Sequence, residues 1–150
     1  MSKQIIIAAF PCCGKSYLLS HREKNVKITG LDEDYHRSIV DYAKRLKDNS
    51  TADVLLVTAH DRAIDVLDKN KCEYVLVYPE DTDECREEWY RRNKERKSII
   101  LGHRIKDLWK PILKKLKEND KAKAHYTLKT NEYLSDIIDR IISENSSNEE

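Results

Sequence analysis

Residues 9–16, Ala-Phe-Pro-Cys-Cys-Gly-Lys-Ser, combine a turn, a lysine and a hydroxyl in an order that can hold a phosphate chain. In loops written G-x-x-x-x-G-K-[ST], backbone N–H groups surround the anion. The lysine reaches the β- and γ-oxygens, and the hydroxyl binds Mg²⁺. Ala9, Gly14, Lys15 and Ser16 stand at the defining positions, with alanine in place of the first glycine. Cys12 stands where loops of the form GxPGxGK[ST] carry another glycine, so backbone strain is expected there. The nucleotide-binding stretch is taken as Ala9, Phe10, Pro11, Cys12, Cys13 and Gly14, continuing through Lys15 and Ser16 to Tyr17. A helix start and a lysine beside Cys12 and Cys13 would lower a thiol pKa and favour oxidation; the alternative is that both residues simply fill space.

The elements that must position this loop follow from the apolar runs. "KQIIIA" ends where the loop begins and reads as a buried strand, and "NVKITG", "DVLLVTA", "EYVLVYP" and "AHYTL" read as four more. Helical periodicity lies between them, over "DRAIDVLDKN", "CREEWYRRNKER" and a segment holding Ile105, Leu108, Ile112 and Leu116, with Pro111 marking a kink or a new first turn. Asp81 and Glu84 have capping-box spacing before the second of these. Leu134, Ile137, Ile138, Ile141 and Ile142 line a closing helix. Alternation of this kind predicts an α/β fold: a parallel five-stranded sheet with helices on both faces. Ligands then gather at the carboxyl edge, where the phosphate loop, Asp32–Asp34, His60–Asp61 and Pro79–Asp81 all fall.

At 150 residues, 37% of them charged, the chain fits one domain. The net charge of +1 hides a basic block over residues 86–129, with 15 basic and 6 acidic side chains; this is either an anion-attracting surface or a solvated helix face. Four cysteines without metal spacing disfavour zinc and a disulfide framework. No long apolar run predicts a membrane span, and cytoplasmic localisation is expected. His36, His103 and His125 read as surface or satisfied histidines, and Trp89, Tyr90 and Trp109 as core.

"LDEDYHR", residues 31–37, resembles the L-D-G-D-x-x-R segment of adenylylsulfate kinases and the D-x-x-R segment of polynucleotide kinases. "WYRRNKERK", residues 89–97, resembles the short lid of the same kinases, through Arg92, Asn93 and Arg96. Together with "IIIAAFPCCGKSY" and "VLLVTAHDRAIDVL", these segments resemble a group of small phage and prophage P-loop proteins of the nucleotide kinase superfamily. The resemblance implies a three-layer P-loop kinase fold with strand order 2-3-1-4-5. It also implies one domain over residues 1–142 with a lid near 89–104, followed by a disordered acidic tail, 143–150.

On that resemblance, Lys15 and Ser16 bind the β/γ-phosphates and Mg²⁺ of ATP. Asp34 aligns or deprotonates the acceptor hydroxyl, and Arg37 holds an acceptor phosphate. Arg92 and Arg96 stabilise charge during transfer. Asp32 is a competing base or, like Asp61, a water-mediated Mg²⁺ ligand, and His60 and Asp61 are further acceptor contacts. Helix capping is the structural alternative for Asp32, Asp34 and Asp61. A basic helix end is the alternative for the arginines. The function implied is ATP- and Mg²⁺-dependent phosphotransfer to a nucleoside or nucleotide, in the host cytoplasm if the chain is phage-encoded. The alternatives are 5′-hydroxyl or base phosphorylation of a nucleic acid, and ATP binding without catalysis. Oligomeric state is left open.

Overall fold

Three consecutive isoleucines can be buried on both sides only if a sheet covers their edges and helices cover their faces. The structure, a computed structural model, describes residues 4–10, 12–20, 28–30, 53–59, 61–95 and 104–145. It places β1 (Ile5–Ala9) in the middle of a sheet with β2 (Ile28–Gly30), β3 (Val54–Thr58), β4 (Val75–Pro79) and β5 (Ala124–Leu128). The order is β2-β3-β1-β4-β5 and every neighbouring pair is parallel. All five β1 side chains are buried, as are those of β4. At the edge, β5 alternates: Tyr126 and Leu128 are buried while His125 and Thr127 face solvent, the pattern of a strand packed on one side.

Five helices are described: α1 (Lys15–Ser20), α2 (Asp61–Lys69), α3 (Asp83–Glu95), α4 (Arg104–Lys117) and α5 (Leu134–Asn145). The chain moves outward one way from β1 to β2 and the other way through β3, β4 and β5, so right-handed crossovers set helices on opposite faces. Accordingly α1 packs with α5, and α3 packs with α4. No helix among the described residues is long and apolar enough to cross a membrane.

Several local expectations need correction. Pro111 lies inside α4 rather than opening a new first turn, and Trp109, Leu113 and Leu116 of that helix are buried. Thr82, rather than Asp81, caps α3: its Oγ1 accepts the Cys85 N–H at 3.1 Å. Asp81 instead accepts the Trp109 indole N–H at 3.0 Å and lies 3.6 Å from Lys117. Trp109 meets Phe10 edge-on with ring centroids 5.7 Å apart, which ties α4 beneath the end of β1. Tyr90 is partly exposed rather than core. Residues 143–145, expected to open the acidic tail, belong to α5, which continues to Asn145. That side chain is buried and donates to the Tyr126 hydroxyl at 2.9 Å and the Ile141 carbonyl at 2.8 Å. His125 fits the reading of a satisfied histidine, bonded through Nδ1 to the Tyr78 hydroxyl at 2.8 Å.

Candidate active site

The candidate phosphate loop leaves β1 at the carboxyl edge, between β3 on one side and β4 on the other. Ala9 ends the strand, paired with Thr58 and Val77, and its carbonyl accepts the Ala59 N–H at 2.8 Å. It is not among the positive-φ residues, so alanine in place of glycine carries no backbone penalty. Phe10 donates its N–H to the Val77 carbonyl at 2.8 Å and buries its ring. Its amide is therefore spent on the sheet, and Phe10 drops out of the phosphate-binding set.

Cys12 does adopt the conformation that favours glycine, with φ of +68°, and Gly14 follows with φ of +95°. A left-handed L-residue costs ~1–2 kcal/mol, so Cys12 carries real strain. The two carbonyls in this turn are tied outward. The Cys12 carbonyl accepts Arg92 Nη1 at 3.1 Å, and the Cys13 carbonyl accepts the Leu134 N–H at 2.7 Å. Both donors come from the β4–β5 side. On the β3 side, Lys15 donates its ammonium to the Thr58 hydroxyl at the end of β3.

Cys13 is fully buried, and burial pushes its thiol up to about 12, outweighing the opposing pull of Arg92 and Lys15. That removes Cys13 as an oxidation-prone thiolate; the nearby cations exist, but dehydration wins. The Trp89 indole N–H and the Asn93 side-chain N–H₂ are both buried without a hydrogen-bond partner. Cys12 Sγ lies 4.0 Å from Asn93 Oδ1.

Arg92 is the principal correction. Its side chain is 4% exposed, with the guanidinium between the rings of Trp89 and Tyr133, 4.0 and 3.8 Å from their centroids. Four of the five N–H groups a guanidinium carries are used. Nε donates to Glu88 at 2.9 Å, Nη1 to Cys12, and Nη2 to the carbonyls of Thr130 at 3.2 Å and Glu132 at 2.9 Å. A side chain so engaged does not reach a transferring phosphoryl group. Residues 89–95 are correspondingly part of the body rather than a lid, since Trp89, Arg92 and Asn93 are all buried on α3. Arg91 is exposed but bonds Glu88 and Glu95, so it adds little to a basic surface.

The other site residues are not brought together by what is described. Pro11, Asp32, Asp34, Arg37, His60 and Arg96 lie outside the described residues, and Ser16 and Asp61 are placed only by backbone, in α1 and α2. Among the described residues there is no group of three His, Cys, Asp or Glu side chains able to hold a metal. Sequence reasoning missed Thr58, Leu134 and Tyr133. The signal for Thr58 was available: a hydroxyl closing the apolar run "VLLVT" at the ligand edge. Nothing local pointed to Leu134 or Tyr133, which reach the loop from the far end of the chain.

The chain folds like a shikimate kinase. A crystal structure of shikimate kinase from Bacteroides thetaiotaomicron matches it with a TM-score of 0.58 over 96% of this chain and 98% of that one, at 13% sequence identity. At that identity the likeness establishes the fold, an α/β architecture with a parallel sheet, and the site must be argued from this chain's own residues. No family model and no curated protein matches the sequence.

Proposed function

We propose that the protein is a P-loop phosphotransferase that uses ATP and Mg²⁺ and phosphorylates a nucleoside or nucleotide. One observation carries the reading: the Cys12 and Cys13 carbonyls are tied to the β4–β5 side while Lys15 stands on the β3 side. This leaves the N–H groups of Cys13 and Gly14 on the same side as an ammonium group. That arrangement suits a polyphosphate, whose oxygens need several donors at once. The kinase fold of the structural neighbour supports the reaction class.

In this proposal Cys13, Gly14 and Lys15 grip the β/γ-phosphates. Ser16 would hold Mg²⁺, with Asp32 or Asp61 helping through water, and a bound ion would supply neutralisation of phosphate charge. Asp34 takes the proton of the acceptor hydroxyl as its oxygen bonds to the γ-phosphorus and the bond to the β–γ bridging oxygen breaks, releasing ADP. Arg37 holds a phosphate already on the acceptor, and Arg96 faces the charge that develops. His60 contacts the acceptor.

The test is ADP release in the presence of ATP and Mg²⁺ with separate panels of nucleoside monophosphates, nucleosides and 5′-hydroxyl oligonucleotides. Acceptor-dependent release should appear with one of the first two panels and be abolished in Lys15→Ala. Release at the same rate in every panel and in Lys15→Ala would defeat the assignment.

A further inference from the structure

We propose that Arg92 is a positioning residue for the phosphate loop: by holding the Cys12 carbonyl outward it turns the Cys13 N–H toward the bound anion. The argument begins with the peptide plane. A trans peptide sets its C=O and the following N–H in opposite directions, so whatever fixes one fixes the other. Arg92 Nη1 fixes the carbonyl of Cys12 at 3.1 Å, and Leu134 fixes that of Cys13 at 2.7 Å. Both pull toward β4 and β5, so the N–H groups of Cys13 and Gly14 turn toward the β3 side, where Lys15 meets Thr58.

Arg92 is itself built in as a fixed point. Glu88, one helical turn earlier, holds Nε, while the carbonyls of Thr130 and Glu132 hold Nη2. Trp89 and Tyr133 cover its two faces. The planar fork thus joins α3, the loop and the segment entering α5 in a single geometry, which a lysine's single ammonium group cannot reproduce. Cys12 makes such a tether necessary, since a side chain at φ of +68° has no intrinsic reason to stay there.

The inference rests on the loop holding a polyphosphate, and the test separates the two claims. Backbone amide spectra of the wild type and Arg92→Lys are titrated with inorganic tripolyphosphate, alongside thermal melts. The wild type should show tripolyphosphate-induced shifts at both the Cys13 and Gly14 amides. In Arg92→Lys, affinity should fall roughly tenfold. The Cys13 response should be lost, while the Gly14 response persists through the intact Leu134 bond. No response in the wild type overturns the phosphate-loop reading itself. A wild-type response with unchanged affinity and an unchanged Cys13 shift in Arg92→Lys overturns only the positioning role, as does equal weakening at both amides. Should Arg92→Lys not fold, Tyr133→Leu, which uncovers one face of the guanidinium, is read by the same criteria.

Discussion

Gly14→Ala tests the loop geometry most directly, because backbone and packing penalties can be separated. At φ of +95° an alanine pays ~1–2 kcal/mol for a conformation L-residues avoid. Its Cβ would also stand 3.1 Å from Tyr133 Cδ2 and 3.3 Å from Tyr133 Cβ. The Tyr133 ring cannot retreat inward, because its inner face rests on Arg92, so the clash adds ~1 kcal/mol. Alanine's lower unfolded-state entropy returns ~0.4–1 kcal/mol. The expected net loss is about 2 kcal/mol, which for a domain of this size lowers Tm by roughly 4–8 °C. In a Tyr133→Ala background the ring contact at 3.1 Å is gone and only the 3.3 Å approach to the residue-133 Cβ remains, so the same substitution should cost less, about 1 kcal/mol. Paired urea and thermal melts of the four proteins measure both numbers. An equal cost in the two backgrounds would refute the packing argument, and a neutral Gly14→Ala would refute the strained turn.

Cys12→Gly should lie within about 1 kcal/mol of the wild type in denaturant melts, because relief of ~1–2 kcal/mol of strain offsets the loss of a buried thiol and the added chain entropy. Cys13 should resist iodoacetamide in the folded protein at pH 8, with half-buried Cys72 modified first, as peptide mass spectrometry would show. Glu88 is held below the usual carboxylate range, chiefly by its hydrogen bonds from Arg91 and also by Arg92, against opposing burial. A depressed folded pKa contributes stability that is complete above the unfolded value, about 4.3, and is lost as pH falls through the folded one. Melts between pH 3 and 6 should therefore show a shallower acid decline in Glu88→Gln.

The middle of the sheet was legible because β1, β3 and β4 are each largely apolar runs, a signal that needs no partner. The turn from β1 into α1 was legible because Gly14, Lys15 and Ser16 follow such a run directly. What failed was the reading of polar residues whose partners are remote in sequence. Asp81 and Thr82 have equal capping chemistry. Trp109, 28 residues beyond Asp81, withdraws that carboxylate and leaves the cap to Thr82. Arg92 has the charge and spacing of a phosphate ligand, and Trp89 at i−3 was in plain view. Tyr133, Thr130 and Glu132, which complete its enclosure, come from after β5. Asn145 read as tail because its neighbours are Ser, Asn and Glu, yet the Tyr126 hydroxyl gives it a buried partner.

The departures from glycine at positions 9 and 12 then have different explanations. Ala9 needs none, because the chain is still a strand there and the loop has not begun to turn. Cys12 needs a source of free energy larger than its strain of ~1–2 kcal/mol. A buried hydrogen bond from a charged donor contributes ~1.5–3 kcal/mol and a neutral one ~0.5–1.5. The tethers from Arg92 and Leu134 together exceed the penalty. A loop with glycine at both positions can be shaped by its own sequence. Here the turn is imposed from outside, by α3 and the start of α5, through the bonds that Arg92 and Leu134 give to the Cys12 and Cys13 carbonyls.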